Sequence, residues 1–466
     1  MACIPSGSLL RKPGVLKFEL KLFICSYIRN RFVIRRVMKI HFIGIGGIGV
    51  SALANYFLKK GYTVTGSDIS SSEITEDLER DGAKVYIGPH NSKNVAANVD
   101  EVIYSPAIRL DNLEIIEAVN KKIKNHSYPE ALGELTKQHF TIAVSGTHGK
   151  STTTAMIGLL LEKAGLDPTV IVGTKLKEFG NSNCRVGKSD YFVIEADEHM
   201  ASFLNYWPKI IVLTTIEADH LDYYQNLSNI IKNFEKYISH LPKNGWIVAN
   251  RDDKNIRRAV AGKKYKKVFY SLRQKEAKKL KEKLQIPGDH NIFNALSALA
   301  VARILKIPDE VSLKALSNYR GAWRRFEIKS LMLNEKKITV ISDYAHHPTE
   351  IKVTLKAARD KYPRSKIWCV FQPHQYQRTY YLFDGFVKTF KKTPVDKAII
   401  TDIYDVVGRE NQVIKAKISS LKLVKKINKK NVIYLPKKEI LNYLKKCVSE
   451  LEVLVVMGAG DIYLLL

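Results

Sequence analysis

Apolar residues along this chain fall into short runs, and longer stretches of mixed apolar and polar residues separate one run from the next. A short apolar run bounded by polar residues is typical of a strand buried on both faces, and the longer stretches are typical of helices. Strands that alternate with helices in this way predict parallel sheets with helices on both faces. The chain is therefore expected to be an α/β protein.

The alternation divides into three segments. The runs are "KIHFI", "YTVTGSD", "KVYIG" and "EVIYSPAI" in the first, "FTIAVSG", "YFVIEAD", "KIIVLTTIE" and "NGWIVAN" in the second, and "KITVISDYAHHP", "KIWCVFQPH", "KAIITDIYD" and "EVLVVMGAGD" in the third. We predict domains over residues 38–133, 134–318 and 319–466, each a mainly parallel sheet flanked by helices. The length of 466 residues suits three domains, because one domain usually contains about 100 to 200 residues.

The first 37 residues differ from the rest of the chain. They contain eight basic residues and a single acidic residue, Glu19, without a clear strand or helix pattern. A basic segment with few acidic residues is typical of a transit peptide. We favour a basic extension, residues 1–37, that is not part of the fold, so that Met38 is the working N-terminus.

Composition indicates a globular protein, with 45% hydrophobic and 26% charged residues. The net charge of +29 comes mainly from lysine clusters, which indicate either a solvated surface or a field that attracts polyanions such as nucleotides. The basic runs lack a recognition motif, so no nucleic-acid partner is expected.

Five cysteines without CxxC spacing favour a reducing cytoplasm over disulfides or a zinc site. No apolar run approaches the roughly 20 residues of a membrane helix, so a soluble protein without membrane insertion is expected.

The first predicted strand leads into a glycine loop. Gly44, Gly46 and Gly49 have the G-x-G-x-x-G spacing, which lets the backbone approach a diphosphate at the N-terminus of the following helix. Asp68 ends the second strand, where an acidic residue binds ribose in a Rossmann unit. The same glycines serve any pyrophosphate ligand, and NAD is the default ligand for this segment taken alone.

A second glycine loop, "GTHGKS" at residues 146–151, follows a strand and opens a helix. Its backbone N–H groups are expected to surround the phosphates of ATP, with Lys150 near the β- and γ-phosphates and Ser151 on Mg²⁺. The full Walker pattern has glycine where this chain has Ala143. That difference argues against a standard P-loop NTPase but not against phosphate binding.

Acidic residues and a histidine follow two further strands of the middle segment, and such groups suit Mg²⁺ that bridges phosphate oxygens. The candidates are Glu195, Asp197 and Glu198 at one strand end and Glu217, Asp219, His220 and Asp222 at the other. An acidic surface cluster that binds nothing is the alternative.

Other candidates lie nearer the C-terminus. Asn291 and Asn294 begin a helix, where an asparagine suits either a helix cap or a contact with a base. Arg325 stands at a domain boundary, where a guanidinium group can reach phosphate. Two strand ends, "DYAHHPTE" and "FQPHQYQRT", contribute His346, His347, His374 and Arg378. Taken singly, such histidines are more often structural than catalytic.

Taken together, the motifs resemble those of the Mur ligases. The ordered set is "HFIGIGGIG", "GSD", "YSPAI", "SGTHGKSTTT", "EADE", "IEADHLDYY", "HNIFNALSA", "RRFE", "DYAHHPTE", "FQPHQYQRT" and "MGAGDI". The resemblance covers residues 38–466 and points to the members that join L-alanine to UDP-N-acetylmuramic acid. It implies that the first glycine loop holds the diphosphate of the UDP-sugar rather than NAD, and that the second holds ATP.

The resemblance also implies an architecture and a reaction. The architecture is a Rossmann-like UDP-sugar-binding domain, a P-loop-type central ATPase domain, and a Rossmann-like C-terminal domain that closes on ATP and the amino acid. The lactyl carboxylate of the sugar attacks the γ-phosphate of ATP, and the amine of alanine then displaces phosphate from the acyl phosphate. This reaction belongs to peptidoglycan precursor synthesis in the cytoplasm, and it implies ATP and two Mg²⁺ ions.

Site residues carried over from the family motifs fall into groups. The UDP-sugar contacts are Gly44, Gly46, Gly47, Gly49, Ser67, Asp68, Ser105 and Ala107. The ATP contacts are Gly146, Thr147, His148, Gly149, Lys150, Ser151, Thr152, Asn291, Asn294, Arg325 and Asp343. The metal ligands are Ser151 and Glu195 for one Mg²⁺ and His220 for the other. The amino-acid contacts are Tyr344, His346 and Arg378. The catalytic residues are Lys150, His220, His346 and Arg378.

The chain differs from the family pattern near the amino-acid site. Gln375 stands where the family has an arginine close to the amino-acid carboxylate. Glutamine does not form the charge-assisted pair that an arginine forms, so glycine or serine is expected to compete with alanine. Four further differences remove no metal or phosphate ligand: His199, Thr215, Ser342 and Ala345.

Other functions remain as alternatives. The recycling ligase that joins the same UDP-sugar to a tripeptide has "EADEYD...DKRSKF", where this chain has "EADEHMASFLNYWPKII". An NAD-dependent oxidoreductase would leave Lys150 and the acidic cluster without a role. A non-catalytic nucleotide sensor would not need Lys150, Glu195 and His220 together. The sequence does not indicate an oligomeric state.

Overall fold

The computed structural model describes residues 37–406 and 410–465. Residues 1–36 of the predicted basic extension lie outside the described residues. Three sheets follow one another along the described chain. With the strands numbered β1 to β18 in chain order, and with ranges given below, the strands lie side by side in the orders β3-β2-β1-β4-β5, β12-β11-β10-β6-β9-β7-β8 and β13-β14-β18-β15-β16-β17. The predicted α/β class with three mainly parallel sheets is confirmed.

The N-terminal sheet is parallel throughout. Its strands are β1 Lys39–Ile43, β2 Thr63–Asp68, β3 Lys84–Ile87, β4 Glu101–Tyr104 and β5 Lys124–Ser127. Its helices are α1 Ile48–Lys59, α2 Glu73–Arg80, α3 Leu113–Asn120 and α4 Tyr128–Gln138. Strand β1 lies at the centre, and its last four residues are buried, as expected for a strand covered on both faces. The predicted boundary between residues 133 and 134 falls inside α4.

The central sheet is parallel except for its edge strand β8, which runs antiparallel to β7. Its strands are β6 Phe140–Ser145, β7 Thr169–Leu176, β8 Ser182–Arg185, β9 Tyr191–Ala196, β10 Ile210–Leu213, β11 Trp246–Asn250 and β12 Lys266–Tyr270. Its helices are α5 Lys150–Lys163, α6 Leu221–Tyr224, α7 Leu227–Ile238, α8 Lys254–Val260, α9 Lys275–Lys283, α10 Asp289–Ile304 and α11 Asp309–Ser317. Helices α5 and α10 pack against each other, and both are almost fully buried, because small and apolar residues surround each helix axis.

The C-terminal sheet is parallel except for its edge strand β13, which runs antiparallel to β14. Its strands are β13 Glu327–Leu333, β14 Lys336–Asp343, β15 Ile367–Phe371, β16 Lys397–Ile400, β17 Val432–Tyr434 and β18 Val453–Met457. Its helices are α12 Pro348–Lys361, α13 Tyr376–Tyr381, α14 Phe383–Lys391, α15 Gln412–Lys417, α16 Ser420–Ile427 and α17 Lys437–Lys446. Every side chain of β15 and β18 is buried.

The sheets position the candidate site through the direction of their strands. Strands β6, β9 and β10 are neighbouring and parallel, so their carboxyl ends and the loops that follow meet at one edge. Strand β14 ends at Asp343, and the loop after it reaches the same edge from the third sheet. Among the described residues, no helix is long and apolar enough to cross a membrane.

Candidate active site

The loop at residues 146–151 joins β6 to α5 and depends on two glycines. Gly146 has φ +137° and Gly149 has φ +83°, in a region that favours glycine. A Cβ atom on Gly149 would lie 2.5 Å from Oδ1 of Asn294 in α10. The loop backbone therefore lies directly against α10, and the N-terminus of α5 opens towards the space between them.

Lys150, the first residue of α5, points back over this loop. Its Nζ donates to the carbonyl oxygen of Gly146 at 2.8 Å and to Oε2 of Glu198 at 2.9 Å, and it lies 3.6 Å from Oδ1 of Asp197. Burial lowers the pKa of Lys150, but the surrounding carboxylates outweigh burial and raise it. Burial raises the pKa of Glu198 to about 7 even though Lys150 opposes the shift. The acidic side chains therefore keep the ammonium group charged and close to the loop.

Ser151, Glu195 and Arg325 meet beside the same loop. Nη2 of Arg325 donates to Oγ of Ser151 at 3.1 Å. Glu195 is the last residue but one of β9, and its buried Oε1 has no hydrogen-bond partner among the described residues. Burial raises the pKa of Glu195, against the hydrogen bond from Ser151 and the positive charges of Arg325 and Lys150. A hydroxyl group and a carboxylate with a buried, unpartnered oxygen suit a hard cation.

A cavity opens beside the loop. Eight of the predicted ATP contacts line it: His148, Gly149, Ser151, Thr152, Asn291, Asn294, Arg325 and Asp343. The predicted contacts Gly146, Thr147 and Lys150 belong to the loop that borders it. Oδ1 of Asn294 accepts from Thr153 at 3.2 Å, and Nδ2 of Asn291 donates to the carbonyl of Pro287 at 2.7 Å. Both asparagines are therefore fixed in orientation.

His220 lies in the loop after β10, with φ +50°. Its ring centroid is 4.4 Å from that of His199, and its backbone N–H donates to Oδ1 of Asp219 at 2.8 Å. Burial lowers the pKa of His220 to about 3, so the ring is neutral, the form that binds metals. Burial alone would raise the pKa of Asp197, but the pKa is lowered, in part by the charge of Lys150. Imidazole is a less usual ligand for Mg²⁺ than oxygen.

The third domain supplies Asp343 from the end of β14, and Tyr344 and His346 from the loop after it. Asp343 accepts from the backbone N–H groups of Phe326 and Ala345, both at 2.8 Å, and burial raises its pKa to about 6. The guanidinium group of Arg325 lies 4.9 Å from the ring centroid of Tyr344. The ring of His346 packs edge-on against Tyr344 at 5.4 Å, and burial lowers the pKa of His346 to about 4.

Arg378 of α13 reaches the central domain. Its Nε donates to Oδ1 of Asp219 at 3.0 Å, and its Nη1 lies 3.3 Å from Nδ1 of His374. A smaller cavity is lined by Arg378, Gln375, Asp219 and His220. Gln375 has φ +70°, and its backbone N–H donates to the carbonyl of Tyr404 at 3.0 Å. The predicted amino-acid contact Arg378 therefore lies next to the predicted metal ligand His220.

The first glycine loop lies in the N-terminal domain, away from the second. The backbone N–H of Gly46 donates to Oδ2 of Asp68 at 2.9 Å, and that of Gly44 to the carbonyl of Ser67 at 2.8 Å. Asp68 therefore closes the loop, at the strand end where a ribose contact is predicted. The other predicted UDP-sugar contacts, Gly47, Gly49, Ser105 and Ala107, lie in this loop, on α1 and in the segment after β4.

Tyr128, which the sequence analysis did not select, lies between the first glycine loop and the acidic end of β9. A Cβ atom on Gly49 would lie 3.1 Å from its ring. Burial raises the pKa of Tyr128, as do the charges of Glu195 and Asp197. The side chain therefore contacts α1 on one side and approaches the acidic end of β9 on the other. No motif around Tyr128 indicates this position, because the contact depends on how two domains pack.

Glu350 was also missed, although its position had a sequence signal. His347 caps α12, and Glu350 at the third helical position accepts from the backbone N–H of His347 at 3.1 Å. A glutamate three residues after a capping residue is a recognisable pattern. Oε1 of Glu350 lies 3.1 Å from Nδ1 of His148, which connects the third domain to the second glycine loop.

One cluster near this contact has the composition of a metal site. His148, Glu217 and His347 each offer a ligand atom, and these atoms lie within 4.8 Å of one another. Nδ1 of His347, however, already accepts from the backbone N–H of Thr349 at 3.2 Å, as the cap of α12. The third possible ligand is therefore engaged, and the cluster is better described as a contact between domains.

Comparison with known proteins follows the same division into three parts. Residues 39–140 match the family described as "Mur ligase family, catalytic domain", residues 144–283 match "Mur ligase middle domain", and residues 324–460 match "Mur ligase, glutamate ligase domain". The chain belongs to the Mur ligase family. The resemblance expected from the motifs is confirmed.

Curated relatives agree with this membership. The Mur ligase described here is 42% identical to the UDP-N-acetylmuramate--L-alanine ligase of Clostridium acetobutylicum, over 91% of this chain and 96% of the relative. It is 43% identical to the enzyme of the same name from Acetivibrio thermocellus, over 91% of this chain and 94% of that protein.

Solved structures show the same fold. The UDP-N-acetylmuramate-alanine ligase of Thermotoga maritima superposes with a TM-score of 0.74 at 28% identity, over 92% of this Mur ligase and 97% of that chain. A murein peptide ligase from Psychrobacter arcticus has a TM-score of 0.70 at 24% identity, over 92% and 97% of the two chains. The second likeness concerns the fold alone.

Proposed function

We propose that this Mur ligase joins L-alanine to the lactyl carboxylate of UDP-N-acetylmuramic acid, with ATP as the source of energy, in peptidoglycan precursor synthesis in the cytoplasm. The observation that carries the proposal is the meeting of three groups beside one cavity: the loop with Lys150, Glu195 near the end of β9, and Arg325 from the third domain. Relatives of 41% to 43% identity carry the name of this reaction.

The chemistry requires an activated carboxylate, because the oxygen of a carboxylate is a poor leaving group. The lactyl carboxylate attacks the γ-phosphorus of ATP, ADP leaves, and an acyl phosphate forms. The amine of alanine then adds to the acyl carbon, and phosphate leaves as the amide forms. Protein groups serve this transfer mainly by positioning the reactants and neutralising charge.

Lys150 and Arg325 are the cations that approach the transferred phosphoryl group from opposite domains. Lys150 pairs with Glu198 and Asp197 in the described structure, and the phosphates of ATP would compete with these carboxylates for its ammonium group. Ser151, Glu195 and His220 are the residues that would hold Mg²⁺, which would neutralise phosphate charge when bound. Asn291 and Asn294, which line the same cavity, would contact the base.

The two organic substrates would reach the phosphate from different sides. The UDP-sugar binds with its diphosphate at the N-terminus of α1, and Tyr128 lies on the path from that loop to Glu195. The amino acid binds near Tyr344, His346 and Arg378. Arg378 and Gln375 line the same small cavity.

The test is phosphate release from ATP with UDP-N-acetylmuramate and, in turn, L-alanine, glycine, L-serine or the tripeptide. We expect the highest kcat/KM with L-alanine and measurable turnover with glycine and L-serine, since Gln375 replaces an arginine. Preference for the tripeptide would favour the recycling ligase instead. Absence of turnover with every acceptor would contradict the proposal.

A single substitution tests the assignment of the ATP loop. Lys150→Ala is expected to lower kcat by about 10³-fold or more, because it removes a charge that stabilises the transferred phosphoryl group, and to leave the Kd of the UDP-sugar nearly unchanged. Lys163→Ala, at the exposed C-terminal end of the same helix, is the control. Turnover that survives Lys150→Ala would show that the ATP site has been misplaced.

A further inference from the structure

His148 belongs to the second glycine loop, yet its side chain faces protein carboxylates. Its Nδ1 lies 3.1 Å from Oε1 of Glu350, and its Nε2 lies 3.3 Å from Oε2 of Glu217. Only 13% of the side chain is exposed. A carboxylate can only accept a hydrogen bond, so both ring nitrogens must carry a proton. In this arrangement His148 is an imidazolium cation.

The two carboxylates belong to different domains. Glu217 lies in the loop after β10 of the central domain, and Glu350 lies in the first turn of α12 of the C-terminal domain. Burial by itself would lower the pKa of His148, but the hydrogen bonds to Glu217 and Glu350 outweigh burial and raise it to about 10. The ring is therefore charged at neutral pH, and one cation bridges the two domains.

Glu350 extends this bridge to the amino-acid side of the site. Its Oε2 accepts from the backbone N–H groups of His346 and His347, at 2.9 Å and 3.1 Å. One carboxylate therefore contacts the second glycine loop, residues 146–151, through one oxygen and fixes the backbone of His346 through the other. We call this loop the phosphate loop. His346 is a proposed contact of the amino acid.

Other contacts between the same two domains lie next to this bridge. Oγ1 of Thr349 donates to Oε2 of Glu217 at 2.7 Å, and Nε2 of His347 lies 3.3 Å from the carbonyl oxygen of Ala218. The rings of His148 and His347 lie 4.7 Å apart. The loop after β10 is thus held from one side by α12 and from the other by His148.

We propose that His148 is a positioning residue that fastens the C-terminal domain to the phosphate loop through Glu350 and Glu217. In the fastened arrangement, the amino-acid contacts stand opposite the phosphate that is transferred. The proposal goes beyond the proposed function, in which His148 is only a loop residue beside ATP, and it rests on that function for its kinetic readout alone.

Glu350→Gln removes the ion pair with His148 but keeps the helix cap. Glutamine keeps a carbonyl oxygen that can accept from the backbone of the first turn, and it is itself a usual residue at this capping position. His148→Gln removes the cation, and the double variant completes a mutant cycle. Asp360→Asn is the matched control, since Asp360 lies on the same helix, is exposed and pairs only with Lys356 among the described residues.

We expect Glu350→Gln and His148→Gln each to lower kcat by about tenfold or more, because each removes one partner of a buried charge pair. The KM for the UDP-sugar should change by less than about twofold, since that site lies in another domain. The double variant should be no slower than the slower single variant, because either change alone breaks the same bridge. In small-angle scattering with an ATP analogue and the UDP-sugar, both single variants should remain more expanded than wild type and Asp360→Asn.

Independent effects would overturn the proposal. If the losses in kcat multiply in the double variant, His148 and Glu350 do not act through each other. If Glu350→Gln matches Asp360→Asn in kcat and in compaction, the bridge does not hold the domain. A wild-type enzyme without ligase turnover would contradict the proposed function, while the scattering comparison would still test the bridge.

Discussion

Glu114 is a buried carboxylate that hydrogen-bonds to several segments of the N-terminal domain. It is completely buried beside His41, and its oxygens accept from Oγ of Ser67 at 2.6 Å, from Nδ2 of Asn94 at 2.7 Å and from the backbone of Asn91 at 3.1 Å. These partners come from β2 and from the loop after β3. A single side chain of α3 therefore fixes the strand ends next to the predicted ribose contact Asp68.

This network predicts a pH dependence of stability. Burial alone would raise the pKa of Glu114, but hydrogen bonds from His41, Ser67 and Asn94 lower it to about 2, from an ordinary value of 4.5. A lowered pKa in the folded state stabilises the fold above pH 4.5, and this stabilisation of about 3 kcal/mol is lost as the pH falls towards 2.

Glu114→Gln should therefore unfold more easily at pH 7 and lose less stability than wild type between pH 6 and pH 3.5. Thermal unfolding across this range measures the difference. Glu117→Gln, on the same helix but paired only with Lys121 in the described structure, should follow wild type. Equal acid sensitivity of Glu114→Gln and wild type would contradict the assignment.

At the scale of elements, helix α5 begins at the phosphate loop and ends in an open turn. Both junctions use a glycine with positive φ, Gly149 at +83° and Gly165 at +76°. A Cβ atom on Gly149 would meet Asn294 at 2.5 Å, whereas a Cβ atom on Gly165 would have nothing within 4 Å. Substitution of Gly165 therefore tests backbone strain alone, whereas substitution of Gly149 adds a steric conflict to that strain.

Gly165→Ala should cost about 1 kcal/mol of stability, from strain alone. Gly149→Ala should cost more, and it should also weaken ATP binding by displacing Asn294 or the loop. Chemical unfolding and nucleotide titration of both variants give the comparison. Equal costs, with unchanged ATP affinity, would show that the loop does not depend on its contact with α10.

Pattern analysis missed six of the described strands, and five of them lie at the edge of a sheet: β5, β8, β12, β13 and β17. The sixth, β7, lies next to the edge strand β8. Strands β8 and β13 are antiparallel edge strands, and β13 exposes most of its residues. An edge strand is covered on fewer sides than a central strand, so its sequence carries a weaker apolar pattern. The central strands, such as β10 with all four residues buried, were evident because burial on both faces requires a continuous apolar run.

At the scale of the whole molecule, contacts at the end of β7 join all three domains. Lys175 is buried and pairs with Glu73 and Asp77 of α2. Its carbonyl oxygen accepts from the backbone N–H of Trp323 at 3.0 Å, and Oγ1 of Thr174 donates to the carbonyl of Trp323 at 2.8 Å. The N-terminal domain is thereby tied to the central sheet close to the point where the chain enters the third domain.

Because the predicted ATP contacts come from two domains, we expect the third domain to close before the reaction. The described structure has the closed arrangement, with Arg325 on Ser151 and Arg378 on Asp219. We expect the radius of gyration in solution to fall when an ATP analogue and the UDP-sugar are added, towards the value calculated from the described residues. An unchanged radius would contradict ligand-driven closure.

By itself, the sequence determined the fold class, the three successive sheets and the two glycine loops, because apolar runs and glycine spacing are local consequences of buried parallel strands and of tight turns at helix N-termini. Only the tertiary structure decided which charges meet. The pairs of His148 with Glu350 and of Arg378 with Asp219 join residues that are far apart in the chain. Such contacts depend on how the domains dock, and no local pattern of side chains encodes that.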